Sequence, residues 1–262
     1  MALPKANKSF GQHFLKDQSV IQKITTDYAS ECDSIVEIGP GPNILTKHLA
    51  AHGKPLAAIE MDTRFKDVLL ESVEERLLYF EDALNFDWNK LPSEFNNIWL
   101  VSNLPYNVSS LLFLSFLRIP KIKYMSLMFQ KEVGEKTVIQ PGKKSKMNSL
   151  LAQGLCHFDS KSLCKVSPGA FLPPPKVDSV VVSYKRLQAP LLLSEQLNQY
   201  EAFLRKLFQN PRKQMHSNLK EFLTKELLTE NGFNPQARAE VLTIEQILSL
   251  FKLTLDRDKT PL

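Results

Sequence analysis

The chain has 262 residues, 43% of them hydrophobic and 23% charged, which is enough to bury a substantial core and ordinary for a globular protein. No apolar run reaches the ~18 residues of a membrane-spanning helix. The lysines of Met1 to Phe10 are followed by no apolar stretch, so no secretory signal is expected. Cys32, Cys156 and Cys164 are odd in number and far apart, which fits reduced thiols in the cytoplasm better than a disulfide framework, and no Cys/His cluster has metal-ligand spacing.

The net charge of +5 is unevenly laid out. Asp33 to Trp99 carries 6 basic and 12 acidic residues, whereas Arg118 to Arg186 carries 13 basic and 4 acidic. A basic sector of this kind suits a polyanionic partner, and equally a solvated lysine-rich surface.

In chain order, a basic lead and a glycine hinge at Gly11 precede a helix capped by Asp17 with Val20, Ile21, Ile24 and Tyr28 on its apolar face. Ile35 to Ile38 reads as a short buried strand, Gly39-Pro40-Gly41 as a tight turn, and Asn43 as the N-cap of a helix that ends at Gly53. A second strand, Leu56 to Glu60, is followed by a helix opened by Asp62. A third strand covers Leu77 to Phe80, and a fourth begins at Ile98. Ser109 starts a helix broken near Pro120, Tyr124 to Phe129 is a fifth strand, and Lys131 opens another helix. A Gly/Lys-rich loop spans Pro141 to Lys146, and Asn148 to Cys156 is helical. Strands that alternate with helices and are apolar throughout predict a doubly wound, Rossmann-like α/β sheet.

The pattern changes after Phe158. Leu163 to Ser167 and Ser179 to Arg186 are strand-like, with Phe171-Leu172-Pro173-Pro174-Pro175 between them, and predict an antiparallel extension at the edge of the sheet. From Pro190 onward the sequence is helical. We therefore expect a catalytic domain over 1–187 and a small all-helical domain over 188–262.

Ligands of such sheets sit at the carboxyl ends of the strands, and four candidate groups fall there. Gly39 and Gly41 allow close backbone approach, Glu60 can accept from both hydroxyls of a ribose, Asp82 can accept an adenine amine, and Asn103 ends the fourth strand. A dinucleotide fingerprint requires a third glycine where this chain has Ile44, so no pyrophosphate cradle is provided. A ribose acceptor without a phosphate cradle suits a nucleoside cofactor, S-adenosyl-L-methionine above all. In Ser102-Asn103-Leu104-Pro105-Tyr106, an amide oxygen and a flat ring are presented together, as recognition of an exocyclic amine on a planar base requires. Taken alone, these five residues also fit a strand ending in a turn with a core tyrosine.

Together the motifs resemble those of the small-subunit ribosomal RNA adenine dimethyltransferases, the KsgA/RsmA family. The match runs from Phe10-Gly11-Gln12-His13-Phe14-Leu15 through Glu37 to Gly41, Glu60-Met61-Asp62, Asp82-Ala83 and Asn103 to Asn107. It continues through Gln130 to Val133 and Phe171 to Ser179, and reaches Arg212-Lys213, Asn218-Leu219 and Arg238-Ala239-Glu240 in the helical part.

The resemblance implies a class I methyltransferase fold and dimethylation of two adjacent adenines near the 3′ end of 16S rRNA in the small subunit. It implies that His13 and Leu15 line the methionine end of the cofactor, that Gly39 and Gly41 pass beneath it, and that Glu60 holds the ribose and Asp82 the adenine. Asn103 would sit beside the cofactor's methyl group and, with the Leu104 or Pro105 carbonyl, would accept from the target amine while Tyr106 and Phe171 sandwich the target base. Lysines of the basic sector, with Arg212 and Lys213, would hold RNA phosphates. We expect a cytoplasmic monomer acting in ribosome biogenesis. Asn43 stands where many members have a small residue, and Asn tolerates the left-handed backbone such a position requires. His13 stands where Asn is also common, and the family's usual Tyr-Gly pair is missing from the Gly142 to Met147 loop. Two alternatives share these motifs: an erythromycin-resistance-type 23S rRNA methylase, and a non-catalytic nucleic-acid-binding assembly factor.

Overall fold

The computed structural model describes residues 12–140 and 146–257. The basic lead, Phe10 and Gly11 of the first motif, and Pro141 to Ser145 of the Gly/Lys-rich loop lie outside them.

Two compact units divide the described residues: 12–139 with Phe158–Leu187, and Gln140–His157 with 188–257. The first unit begins with β1 (Phe14–Leu15) and α1 (Gln18–Thr26), whose N-cap Asp17 accepts from Val20 N. Then follow β2 (Ser34–Ile38), α2 (Thr46–Ala50), β3 (Leu56–Ile59), α3 (Lys66–Leu69), β4 (Leu78–Tyr79), β5 (Ile98–Asn103), α4 (Ser109–Leu117), β6 (Ile122–Gln130) and α5 (Lys131–Gly134). After α6 (Ser149–Leu155), which belongs to the other unit, the chain returns for β7 (Phe158–Val166), β8 (Phe171–Leu172) and β9 (Ser179–Arg186).

Seven strands form one sheet in the order β4-β3-β2-β5-β6-β9-β7. The first five are parallel, and β9 runs antiparallel between β6 and β7. Both faces of the parallel strands are covered, so β2 and β3 are buried at every residue. The chain crosses from β2 outward to β4 and then back to β5. The strand order therefore reverses between β2 and β5, and a crevice opens there at the carboxyl ends.

Buried polar groups tie the far side of this sheet together. Trp99 Nε1 donates to Ser126 Oγ at 2.9 Å, and Ser126 and Ser183 both donate to Asp27 Oδ2, at 2.7 and 2.5 Å. Arg186 on β9 donates to the carbonyls of Leu117, Ile119 and Ile122, satisfying the open end of α4. Burial holds its guanidinium down, to about 10. The helix after the Asn103–Tyr106 loop is thus pinned at its far end.

The second unit contains α6, α7 (Leu197–Leu207), α8 (Met215–Leu219), α9 (Lys225–Glu230) and α10 (Ile244–Arg257). Its core includes Leu151, Ala152 and Cys156 of the α6 segment, packed with Tyr200, Leu204, Leu219, Leu228 and Phe251. A helix after a strand continues the α/β pattern, so this segment is expected in the first domain. Its apolar face instead completes the helical core.

Two local expectations change. Asn43 is not a helix N-cap: α2 starts at Thr46, and Asn43 adopts φ 64 while its Nδ2 donates to Val68 O at 2.9 Å. Within the stretch expected to be helical from Pro190 onward, Arg212 to Thr229 holds two short helices, α8 and α9, with Thr224 capping the second.

Candidate active site

The crevice is a cavity of about 390 Å³ lined from five strand ends or the loops beside them. His13, Leu15, Gly39, Gly41, Glu60, Asp82, Asn103, Leu104, Pro105 and Tyr106 all line it. Phe171 alone among the expected residues does not. It is 1% exposed and pairs with Leu15 in the β1–β8 ladder, a small sheet separate from the main one. Alternation along so short a strand turns Phe171 inward and leaves Leu172 63% exposed.

The floor is made by the turn after β2. Gly39, Gly41 and Asn43 have φ values of 65, 55 and 64, three left-handed residues at alternate positions. Gly39 needs no room for a Cβ, since nothing lies within 4 Å of one; the backbone angle is what selects glycine there. Asn43 takes the third left-handed place, as its tolerance of that region predicts.

Glu60 stands at the end of β3, 7% exposed. Its Oε2 accepts from Gly41 N at 2.9 Å and its Oε1 from Asp62 N at 2.8 Å. Burial pushes the carboxyl up, while the bonds from Asp62 and Gly41 pull it back. Two fixed donors hold both oxygens, and each keeps a lone pair for a ligand hydroxyl. Asp82 accepts from Leu84 N at 2.9 Å and from Asn85 Nδ2 at 3.2 Å, an Asx turn that sets its carboxylate at the rim.

The loop after β5 is equally determined. Asn103 Nδ2 donates to His13 O at 2.9 Å, so the amide nitrogen is committed and Oδ1 is the acceptor left to the cavity. Pro105 O accepts from Val108 N at 3.2 Å, closing the turn, and Leu104 N is anchored on Met128 O at 3.2 Å. Among the described residues Leu104 O has no hydrogen-bond donor, so of the two candidate carbonyls it is the one with both lone pairs available. Tyr106 Oη and Ser179 Oγ are 2.8 Å apart, which orients the ring from β9. Burial raises the phenol and keeps it neutral.

Three further residues belong to the site although their spacing does not single them out. Glu37 on β2 is 1% exposed, lines the cavity, and has no hydrogen-bond partner for Oε2. Burial pushes it from 4.5 up to about 8, the Thr46 hydroxyl opposing and Glu60 reinforcing the shift. A charged residue inside the apolar run Ile35 to Ile38 was the available signal. Asp62 accepts from Arg64 and from Gln12 Nε2 at 2.9 Å, and the Arg64 bond pulls it down to about 2. Gln12 thereby fastens the approach to β1 onto the turn after β3, a pairing across fifty positions with no local signature.

The residues fit a sulfonium nucleoside. The cavity offers acidic and neutral acceptors in Glu37, Glu60, Asp82 and Asn103 and glycine backbone on its floor, and among the described residues no lysine or arginine lines it to repel a cation.

The family model for ribosomal RNA adenine dimethylase matches residues 3–256. A ribosomal RNA small subunit methyltransferase A of Clostridium botulinum is 36% identical over 254 residues, covering 92% of this chain and 91% of that protein. One from Phenylobacterium zucineum is 36% identical over 261 residues, covering 98% and 90%. Among solved structures, a Plasmodium falciparum dimethyladenosine transferase superposes with a TM-score of 0.72 at 26% identity, covering 94% of this chain and 98% of that one. The 23S rRNA methyltransferase ErmE superposes with a TM-score of 0.70 at 24% identity, covering 92% and 99%, and shares the fold. The chain belongs to the ribosomal RNA adenine dimethylase family.

Proposed function

We propose that the protein transfers methyl groups from S-adenosylmethionine to N6 of two adjacent adenines near the 3′ end of small-subunit rRNA, giving N6,N6-dimethyladenines. The observation that carries the reading is the commitment of the Asn103 amide nitrogen to His13 O, which leaves its oxygen, beside Leu104 O in the cavity lining, as an acceptor for an exocyclic amine.

S-adenosylmethionine supplies an electrophilic methyl on a positively charged sulfur. Glu60 would hold the ribose hydroxyls, Asp82 would accept the cofactor's adenine amine, and the left-handed turn at Gly39 and Gly41 would let the backbone approach. On the other side, Asn103 Oδ1 and Leu104 O accept the two N6 hydrogens. That would draw the nitrogen lone pair out of conjugation and aim it at the side of the cavity where the cofactor would sit. The same acceptors stabilise the positive charge that develops on N6. Tyr106 stacks on the flipped base and offsets part of the few kcal/mol lost when it leaves its helix. Once the product cation forms, its N6 proton is acidic and passes to solvent. No nucleophilic side chain takes part.

The RNA is held by lysines of the basic sector and by Arg212 and Lys213, exposed in the turn before α8. Among the described residues no helix is long and apolar enough to cross a membrane. A cytoplasmic monomer working on the small subunit or its precursor fits these features. Radiolabelled methyl transfer to purified, unmethylated ribosomal subunits tests the target. Label in the small subunit supports the reading, and label in the large subunit alone replaces it with the 23S activity.

A further inference from the structure

Glu37 and Glu60 both line the cofactor half of the cavity and are held in opposite ways. Glu60 takes a backbone N–H on each oxygen, from Gly41 at 2.9 Å and from Asp62 at 2.8 Å. Glu37, one strand earlier, is 1% exposed and leaves Oε2 without a hydrogen-bond partner. Its neighbours in the sheet, Ala58 on β3 and Val101 on β5, carry no charge. The Thr46 hydroxyl of α2 is the group that favours its ionised form, and the one charge acting on it is that of Glu60, of its own sign. An orphaned oxygen on a buried carboxyl is costly unless the acid is neutral or a ligand supplies the opposite charge.

We infer that Glu37 matches the charge of the cofactor: a neutral acid in the free protein, it gives its proton to solvent when the positively charged part of S-adenosylmethionine enters the cavity; this rests on the cofactor reading above. The order of ionisation follows from the two environments. Glu60 has fixed donors, so of the pair it is the one to carry charge. A second carboxylate beside it would stand unpaired in a buried wall, so Glu37 keeps its proton, and burial pushes it up to about 8.

A cation in the cavity reverses that balance. It favours the charged form of both carboxyls, and Glu37 ionises without leaving an uncompensated charge in the wall. Binding then exchanges one proton for one positive charge. At a pH below the value for Glu37 in the free protein, the cofactor has to expel that proton, so its affinity rises with pH and levels off once the free protein has lost the proton by itself. The other titratable groups lining the cavity are His13, Glu60, Glu81, Asp82 and Tyr106, and the experiment separates Glu37 from them.

Calorimetry of the full chain in buffers of different ionisation enthalpy counts the protons exchanged on binding. Between pH ~6.5 and ~7.5, S-adenosylmethionine is expected to release close to one proton more from the wild-type protein than from Glu37→Gln, and the ratio of their association constants to rise about tenfold per pH unit. Protons exchanged by the cofactor's own amine are common to both proteins and cancel in the difference. 5′-Methylthioadenosine, which has the nucleoside and neither cation, is expected to release no proton from Glu37. Equal release from wild type and the Gln variant overturns the inference, because another group such as His13 is then the source; release by methylthioadenosine equal to that by S-adenosylmethionine overturns it too. Release by S-adenosylhomocysteine as well supports the ammonium as the trigger, and its absence supports the sulfonium. A second measurement is made on the wild-type protein without any affinity. In infrared difference spectra the carbonyl band of a buried neutral carboxylic acid disappears when S-adenosylmethionine is added, and the Gln variant shows no such change. A band that persists in the complex overturns the inference even where affinity varies with pH. Binding of none of the three ligands rejects the cofactor reading and the inference with it, whereas binding of S-adenosylmethionine with no proton released rejects the inference alone.

Discussion

The two halves of the cavity are built differently. The half assigned to the cofactor is made from consecutive strand ends: Glu37 lies on β2, and Gly39 and Gly41, Glu60, and Asp82 follow β2, β3 and β4 in order. Its geometry is local: the Glu60 carboxylate is fixed by amides of the two adjoining turns. The half assigned to the base draws on three distant segments. Tyr106 depends on Ser179, His13 on Pro173, and Asn103 on His13. A site for a constant small ligand can be rigid.

Substitutions separate the halves, and the largest effect is expected at the amide. Asn103→Ala removes the aimed acceptor and lowers kcat by about 10³-fold, as loss of a preorganised polar group does; cofactor Kd and melting temperature stay close to wild type. Retained transfer at a wild-type rate would remove Asn103 from the mechanism. Next is Glu60→Gln, which turns an NH₂ toward one of two backbone donors. It weakens cofactor affinity about 10- to 100-fold by calorimetry, while kcat at saturating cofactor falls only a few-fold. A variant that binds cofactor normally would exclude Glu60 as the ribose ligand.

Phe171→Leu sharpens the contrast further. If Phe171 is packing and not a base wall, the variant loses about 1–2 kcal/mol of stability in urea unfolding and keeps the subunit KM. A raised KM at unchanged stability would return Phe171 to the slot.

The smallest effect is the pH dependence set by Glu37. Its folded-state pKa, about 8, lies above the ordinary 4.5, so between these values the unfolded chain has already lost a proton that the folded protein keeps. Stability contributed by this group therefore falls as pH rises from ~5 to ~8. Glu37→Gln flattens that slope in urea midpoints across the range. An identical slope in the variant would show that the carboxyl is already ionised at neutral pH.

The difference between the halves also explains what the sequence shows. The parallel strands, the left-handed turn and the acidic strand ends are local, so their spacing reveals them; Asn43 at φ 64 follows from the chemistry of one residue. Two kinds of feature escape. One is pairing at long range, such as Gln12 with Asp62 or Tyr106 with Ser179, which has no periodic trace. The other is the inward or outward sense of a two-residue strand. Phe171 and Leu172 are both apolar, and only the register with Phe14 and Leu15 decides which one is buried. The place of α6 was hidden for a related reason: its apolar face suits either core, and tertiary packing chooses.

The central claim is the target, two adjacent adenines methylated at N6 in small-subunit rRNA. Primer extension on ribosomal RNA from cells with and without the protein tests it directly, because dimethylation removes both N6 hydrogens and blocks pairing. The account predicts stops at two neighbouring adenines near the 3′ end of the small-subunit RNA, present only when the protein is. Stops confined to large-subunit RNA, or identical patterns in the two strains, would contradict it.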